Sequence, residues 1–294
     1  MKFNDLKIIT SHPLTKDRKL AALWRFFKRG IVFRICPYPI AYPFVNQAEL
    51  LIERGMSSAE LQIFTGLYDY HEMFFLLHFL REDDLFVDVG ANVGVYTILA
   101  SAVKGAKSIS MEPIPKTYNH LLNNVALNHI EKIVNVLNMG VGEKSGELRF
   151  AYNLNSAVNH VDMYAESSQN NIVVKVDSLD HILQGEEPVM LKIDVEGFEA
   201  MVIKGASEVM KRESLKAIII ELNGLSNRFG FNDREIHDTI VSNGFEPYVY
   251  YPDSRTFEKL QTFADMNTIY LRDIEFIKKR VAESPKYKVL NHNI

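Results

Sequence analysis

Between residues 84 and 275 the chain alternates short, continuously apolar runs with segments whose apolar residues recur at helical spacing. LFVDVG, KSISMEP, VNVLNMGV, VMLKID and KAIIIELN each have the composition of a buried strand. The stretch from Val93 to about Lys104 continues as a helix. TYNHLLNNVALNHI carries Leu121, Leu122, Val125 and Leu127 on one face, and helices are also expected over 199–211 and 233–243. ELRFAY and NIVVKVDSL predict two extra strands joined by a polar loop over 153–171. FEPYVYY and NTIYLR close the series. Too little chain separates these two for a long helix, so they are expected to form an antiparallel hairpin at one edge. The alternation predicts an α/β fold with a mostly parallel sheet covered on both faces.

Upstream the pattern changes. LAALWRFFKRGIVFRI spaces Leu20, Leu23, Trp24, Phe27 and Ile31 as a helix and interleaves them with Arg25, Lys28 and Arg29. PYPIAYP, with Pro37, Pro39 and Pro43, reads as a linker. Residues 46–81 read as two helices, the second so rich in Phe and Leu that it must be buried against another layer. The expected organisation is a helical extension over 1–65, a main domain over 66–275 and a tail over 276–294.

Apolar residues make up 47% of the chain and charged residues 24%, enough to build a sizeable core. The single cysteine, Cys36, excludes an intrachain disulfide and cysteine-based zinc sites. The longest apolar stretches, such as 217–220, are too short to cross a bilayer. MKFNDLKIITSHPLTKDRK has no apolar core of signal-peptide length, so the expectation is a cytoplasmic protein. The net charge of −4 is uneven: residues 1–50 carry nine Lys or Arg against three acids, +6, which leaves −10 for the rest. A basic arm on an acidic body predicts an anionic partner for the arm and no nucleic-acid surface on the body.

LFVDVGANVGVYT sets an acid at a strand's C-terminal end, then two glycines and a helix, the place where open α/β sheets bind ligands. Gly90 permits the tight turn, and Gly94 permits close packing of helix on strand. The dinucleotide fingerprint G-x-G-x-x-G is absent, since only G-x-x-x-G is present; the missing glycine is the one nearest a pyrophosphate. The turn therefore favours a cofactor without pyrophosphate, and Asp88 suits one with a cationic part. Glu112, 18 residues after Gly94 and at the end of the second strand, can accept hydrogen bonds from both hydroxyls of a ribose.

FVDVGANVGVYT, then MEP, then LKIDVEGFEAMVIKGA, resembles the FkbM family of class I S-adenosylmethionine-dependent methyltransferases over about residues 66–250. LKIDVEGFE is the most specific part. GLYDYHE is also familial, although Asp69 stands where the family usually has Glu. The resemblance implies a Rossmann-like class I sheet with a reversed terminal hairpin, and methylation of hydroxyls on sugars, polyketides or other secondary metabolites. It implies that Asp88, Gly90, Asn92 and Gly94 form the loop for S-adenosyl-L-methionine and that Glu112 holds the ribose. Asn138 and Met139 would lie near the adenine, and Asp194 would face the methyl group.

Asp194, Glu196 and Glu221 are the candidate bases for an acceptor hydroxyl. Asp194 and Glu196 also suit a divalent metal, but no third ligand stands at convincing spacing, so no metal is expected. Glu199 reads equally as stabiliser of a helix start. His160 reads as a loop histidine, His71 and His181 as structural, and Asn123, Asn124 and Asn128 as helix-end or surface residues. The acceptor is expected to be a glycan or small molecule, with an N-methyltransferase of a small metabolite or a non-catalytic scaffold as alternatives. Residues 16–35 suit peripheral contact with an anionic membrane or a lipid-linked glycan.

Overall fold

The computed structural model describes residues 3–36, 38–53, 56–151, 160–161 and 171–294. Two helices open the chain, α1 (Phe3–Ser11) and α2 (Lys19–Ile35). The hairpin β1 (Ile40–Pro43) and β2 (Glu49–Ile52) follows, then α3 (Ser57–Thr65) and α4 (Tyr70–Phe79). The stretch expected as a linker is thus half of a hairpin, with Ile40 opposite Ile52 and Pro43 opposite Glu49. Three prolines masked it. Pro43 ends an edge strand, where its missing N–H leaves no ladder bond unmade. The first of the two helices expected over 46–81 likewise starts later, because β2 occupies 49–52.

The central unit runs β3 (Leu85–Val89), α5 (Val95–Ile98, prolonged by a π turn over Leu99–Val103), β4 (Lys107–Met111), α6 (Pro115–Leu127) and β5 (Val134–Leu137). A small second sheet comprises β6 (Gly140–Val141), β7 (Gly146–Ala151), β8 (His160–Val161) and β9 (Asn171–Asp177), in the order β6-β9-β7-β8. It contains the two extra strands expected from sequence. Most of the 153–171 loop, and the side chain of His160, lie outside the described residues. After α7 (Leu179–Ile182) come β10 (Met190–Ile193), α8 (Glu199–Lys204), β11 (Ala217–Glu221) and α9 (Asp233–Ser242). The chain ends through β12 (Glu246–Tyr251), β13 (Thr256–Lys259), β14 (Asn267–Leu271), α10 (Ile274–Ala282), β15 (Lys288–Val289) and β16 (His292–Asn293).

The main sheet has the order β13-β12-β14-β11-β10-β3-β4-β5. Strands β11, β10, β3, β4 and β5 pair in parallel, while β14 runs antiparallel between β11 and β12. This is a Rossmann-like α/β sheet with the expected reversed strand pair. The sequence did not reveal β13, which extends that pair by one edge strand. Chain order reverses between β3 and β10, so the crevice beyond their C-terminal ends is the topological switch point, where such sheets bind ligands.

The sheet forms because its strands are apolar throughout: every residue of β10 is buried, as are Ala217–Ile220 of β11. Two apolar layers cover it. One contains Val87, Leu191, Ile218, Val202 and Ile240. The other contains Phe86, Phe74, Phe75, Phe79 and Ile219, and residues of the N-terminal segment, Ile9, Leu14, Ala22, Val45 and Leu50, join it. α4 is buried on nearly all sides, as its composition required. Asn124, expected at the surface, is fully buried. Its side chain accepts from Leu51 N at 2.6 Å and donates to Val93 O at 2.8 Å, which ties β2 to the turn after β3. Asn128 repeats the device at Glu49, accepting from its N and donating to its O.

Candidate active site

The turn after β3 is shaped by close approach. Gly90 has φ +76°, and a Cβ there would stand 1.9 Å from the carbonyl oxygen of Asp194. Gly94, at φ +89°, sits at the start of α5, where a Cβ would meet Leu121 Cδ1 at 2.3 Å. Asn92 between them is left-handed at φ +51°, a conformation asparagine tolerates better than most residues. The turn is fixed from below by Gly90 N and Ala91 N, which both donate to Met111 O. It is fixed from the side by Asn92 N, which donates to Glu112 Oε2 at 3.0 Å.

Glu112 accepts a second amide bond, from Ile114 N to Oε1 at 2.9 Å. Burial pushes its carboxyl up to about 7, against the pull of these two bonds. Asp88 is buried as well, accepting from the Thr97 hydroxyl at 2.6 Å, and burial raises it to about 6. Asn138 does not line the cavity. Its amide donates to Glu112 O and Pro113 O and so braces the strand end, while the neighbouring Met139 faces inward.

One cavity of about 880 Å³ joins these groups to the end of β10 and β11. Around the glycine turn it is lined by Asp88, Gly90, Asn92, Glu112, Ile114 and Met139. His12, Leu61, Gln62 and the stretch Tyr68–Met73 line it too, as do Asp194, Glu196 and Glu221. The volume lies toward the upper end of the usual ligand-site range, which is room for two molecules side by side.

Asp194 follows β10 directly, and Glu221 is the last residue of β11. Carboxylate oxygens of Asp194, Glu196 and Glu221 all approach within 4.8 Å of one another. Sequence spacing revealed no third carboxylate for Asp194 and Glu196, because Glu221 arrives from the neighbouring strand. Such a triad suits a shared proton or a divalent cation. Burial, then the Asp194 charge, raises Glu221 to about 8; burial and the same neighbour raise Glu196 to about 7. Glu196 is held left-handed at φ +53°. Glu199 turns away from the chemistry: its Oε1 accepts from Val195 N and Gly197 N and its Oε2 from Ser226 Oγ, so it staples the 194–197 turn.

The structure adds residues that sequence reasoning passed over. Lys192, in the middle of β10, is 1% exposed and pairs in register with Asp88. Its ammonium lies 3.2 Å from Asp194 Oδ2 and 5.3 Å from the centre of the Tyr96 ring. Burial disfavours that charge, but Asp194, Asp69, Glu221 and Asp88 outweigh it and raise the lysine above its ordinary value. Tyr96 donates to Asp69 Oδ2 at 2.8 Å, and Asp69, where the family usually has Glu, is raised by burial. Glu72, one turn further along α4, is pushed by burial to about 8. The one available signal was a lysine inside an otherwise apolar strand, LKID, since a buried charge demands partners. His71 lines the cavity and bonds Tyr250 O through Nδ1; His181 is exposed and pairs with Asp177.

A mostly parallel sheet whose switch point carries an acid-flanked glycine turn, the buried Glu112 and an adjoining carboxylate triad defines a Rossmann-like α/β protein with a candidate site at its strand ends. The chain belongs to the FkbM methyltransferase family: the family model for the methyltransferase FkbM domain matches residues 88–247. It is 28% identical over 151 residues to the hexuronic acid methyltransferase AglP of Haloferax volcanii, a match covering 50% of this chain and 59% of that protein. It is 26% identical over 200 residues to methyltransferase sdnD of Sordaria araneosa, covering 55% of this chain and 77% of that one. Similar solved structures include a precorrin-6y C5,15-methyltransferase of Geobacter metallireducens, at 14% identity and TM-score 0.38, over 69% of this chain and 87% of that one. Another is an rRNA methylase of Streptococcus thermophilus, at 12% identity and TM-score 0.39, over 70% and 95%.

Proposed function

We propose that the protein is an S-adenosylmethionine-dependent methyltransferase acting on a hydroxyl of a sugar or related hydroxylated metabolite. One observation carries this reading: Asp194 and Glu221 end adjoining strands and meet in the same cavity as Glu112. The family supports methyl transfer, and the haloarchaeal relative, named for a sugar acid, supports a sugar acceptor.

The donor set fits the cofactor. Each Glu112 oxygen accepts one backbone amide, and a carboxylate has further lone pairs for two ribose hydroxyls. Met111, Ile114 and Met139 would offer an apolar slot for the adenine, and Asp88 would suit the cofactor's cationic part. When bound, S-adenosylmethionine supplies a methyl group already activated on a sulfonium. What remains for the chain is alignment and removal of the acceptor's proton. Glu221, raised to about 8, holds a proton at neutral pH and orients the acceptor oxygen. Asp194, with the Lys192 ammonium at 3.2 Å, would receive the acceptor's hydroxyl proton.

The test is transfer of a labelled methyl group to a panel of glycans and polyols, alongside calorimetric titration of the cofactor and its demethylated product. Binding of both, with transfer to a hydroxylated acceptor, is the expected result. No binding by the intact protein would overturn the cofactor, and transfer only to amines would overturn the acceptor class.

A further inference from the structure

α2 has two faces with different fates. Ala22, Phe26, Arg29 and Phe33 turn toward the body. Arg25 donates to Phe64 O at 2.8 Å, Arg29 pairs with Glu60, and the Phe26 and Phe64 rings lie 5.2 Å apart. The helix is therefore seated on α3. The opposite face carries Leu20, Trp24, Phe27, Ile31 and Ile35, which are 84, 65, 59, 52 and 78% exposed. At 3.6 residues per turn these five fall within an arc of about 80°. Lys28 and Arg34 flank the stripe on its two sides. Both are exposed, and neither has an acidic partner among the described residues. Lys16, Arg18 and Lys19 add charge at the helix start, where Asp17 is the one nearby acid.

We propose that this face of α2 docks on an anionic lipid bilayer surface, with the helix lying in the interface plane. An apolar stripe of this size left in water marks an interaction site. A stripe with unpaired cations on both edges and a tryptophan within it has the chemistry of an interfacial helix: apolar side chains enter the headgroup boundary and the cations meet lipid phosphates. The same cations disfavour a second copy of the chain. A two-fold contact through this stripe would bring Lys28 and Arg34 against cations of the same kind with no acid on the face to pair them. α3 presents Leu61 and Gln62 to the cavity, so the docked helix is one layer from it. The proposal stands on the surface alone and does not depend on which reaction the cavity performs.

Trp24 is the chain's only tryptophan, so its fluorescence reports the contact directly. The full chain is mixed with phosphatidylglycerol–phosphatidylcholine vesicles or with phosphatidylcholine vesicles alone, then floated, and its emission is recorded. Flotation and a blue shift are expected with the anionic vesicles, weakened by added salt. Trp24→Glu with Phe27→Glu, and separately Lys28→Glu with Arg34→Glu, should each reduce flotation at least about tenfold. Circular dichroism and the melting temperature should stay unchanged in both, because the substituted side chains are exposed. Unshifted emission at saturating anionic lipid, or undiminished flotation of the first pair, overturns the proposal. So does a concentration-dependent dimer that dissolves in Trp24→Glu without any vesicle binding, which would assign the face to a second copy.

Discussion

Gly90 and Asp194 touch across the switch point of the sheet: a methyl group on the Cα of Gly90 would sit 1.9 Å from the Asp194 carbonyl oxygen. The cofactor turn and the strand end bearing the proposed base are thus one surface, and neither moves without the other. Gly90→Ala adds this collision to the cost of a left-handed alanine, roughly 1–2 kcal/mol. The expected outcome is at least tenfold weaker binding of the demethylated cofactor and a clear loss of turnover, with the far layer of the core intact. Calorimetry and a thermal melt check it; binding within twofold of the parent would show that the turn relaxes freely.

Asp194→Asn keeps the shape of the site but removes the proton acceptor. General-base removal typically costs about 10²–10⁴ in rate, so kcat should fall by that order while cofactor binding, set by Glu112 and the Gly90 turn, stays within a few-fold. Because Lys192 already lies against Asp194, the reading needs no divalent cation, and dialysis against EDTA should leave transfer unchanged. A rate restored only by added Mg²⁺ or Mn²⁺ would assign Asp194, Glu196 and Glu221 to a metal instead.

Lys192 is the counter-ion for four surrounding carboxylates. Lys192→Met leaves Asp194 and Asp69 without it; because the Asp194 side chain is 40% exposed, the cost is roughly 1–3 kcal/mol, below that of a fully buried pair. Chemical denaturation should show a loss of that size, together with lower turnover. A variant as stable as the parent would mean that the carboxylates simply take up protons.

The parallel strands, the glycine turn and the reversed strand pair were legible because each is local: period, turn residues and connection length all lie within a short stretch. The site's second half was not. GLYDYHE marked out Asp69 and Glu72 but not what they meet: Tyr96 comes from α5 and Lys192 from β10, and no spacing links these to it. Asn124 and Asn128 lie on an amphipathic helix and read as solvated until β2 is seen against them. β1 was hidden because Pro37, Pro39 and Pro43 read as breakers, although an edge strand tolerates Pro43, and β2 fell within the stretch read as helix.

The raised carboxyls also set a pH dependence. Glu72, Glu196 and Glu221 have folded values of about 8, 7 and 8, above the ordinary unfolded value near 4.3. Between those limits the folded state binds more protons, so stability falls as pH rises, by up to about 1.4 kcal/mol per pH unit for each group. His12 and His78, depressed to about 4 by burial, act in the opposite sense: stability is lost as pH falls below about 6.5. Three carboxyls outweigh two histidines across that interval, so the melting temperature of the free protein should decline from about pH 5 toward pH 8.5. Glu72→Gln should flatten the alkaline decline and stabilise by roughly 1–2 kcal/mol above pH 8. A decline of unchanged steepness in that variant would remove Glu72 as a contributor.

Asn124 holds the first hairpin against the cofactor turn through one accepted and one donated bond, to Leu51 N and Val93 O. Asn124→Ala strands both backbone groups beside a new void. Each unsatisfied group costs about 1–3 kcal/mol, so a total loss of roughly 2–6 kcal/mol is expected from denaturant unfolding. Val93 follows Asn92 directly, so the looser turn should also weaken cofactor binding a few-fold, although Asn124 is not among the residues lining the cavity. Asn124→Asp keeps both bonds only while its buried carboxyl carries a proton; ionised, it sets a charge against Val93 O. Its stability and cofactor affinity should therefore fall as pH rises, unlike those of the alanine variant. Affinity in Asn124→Asp that tracks the parent at every pH would remove the Val93 bond as the coupling.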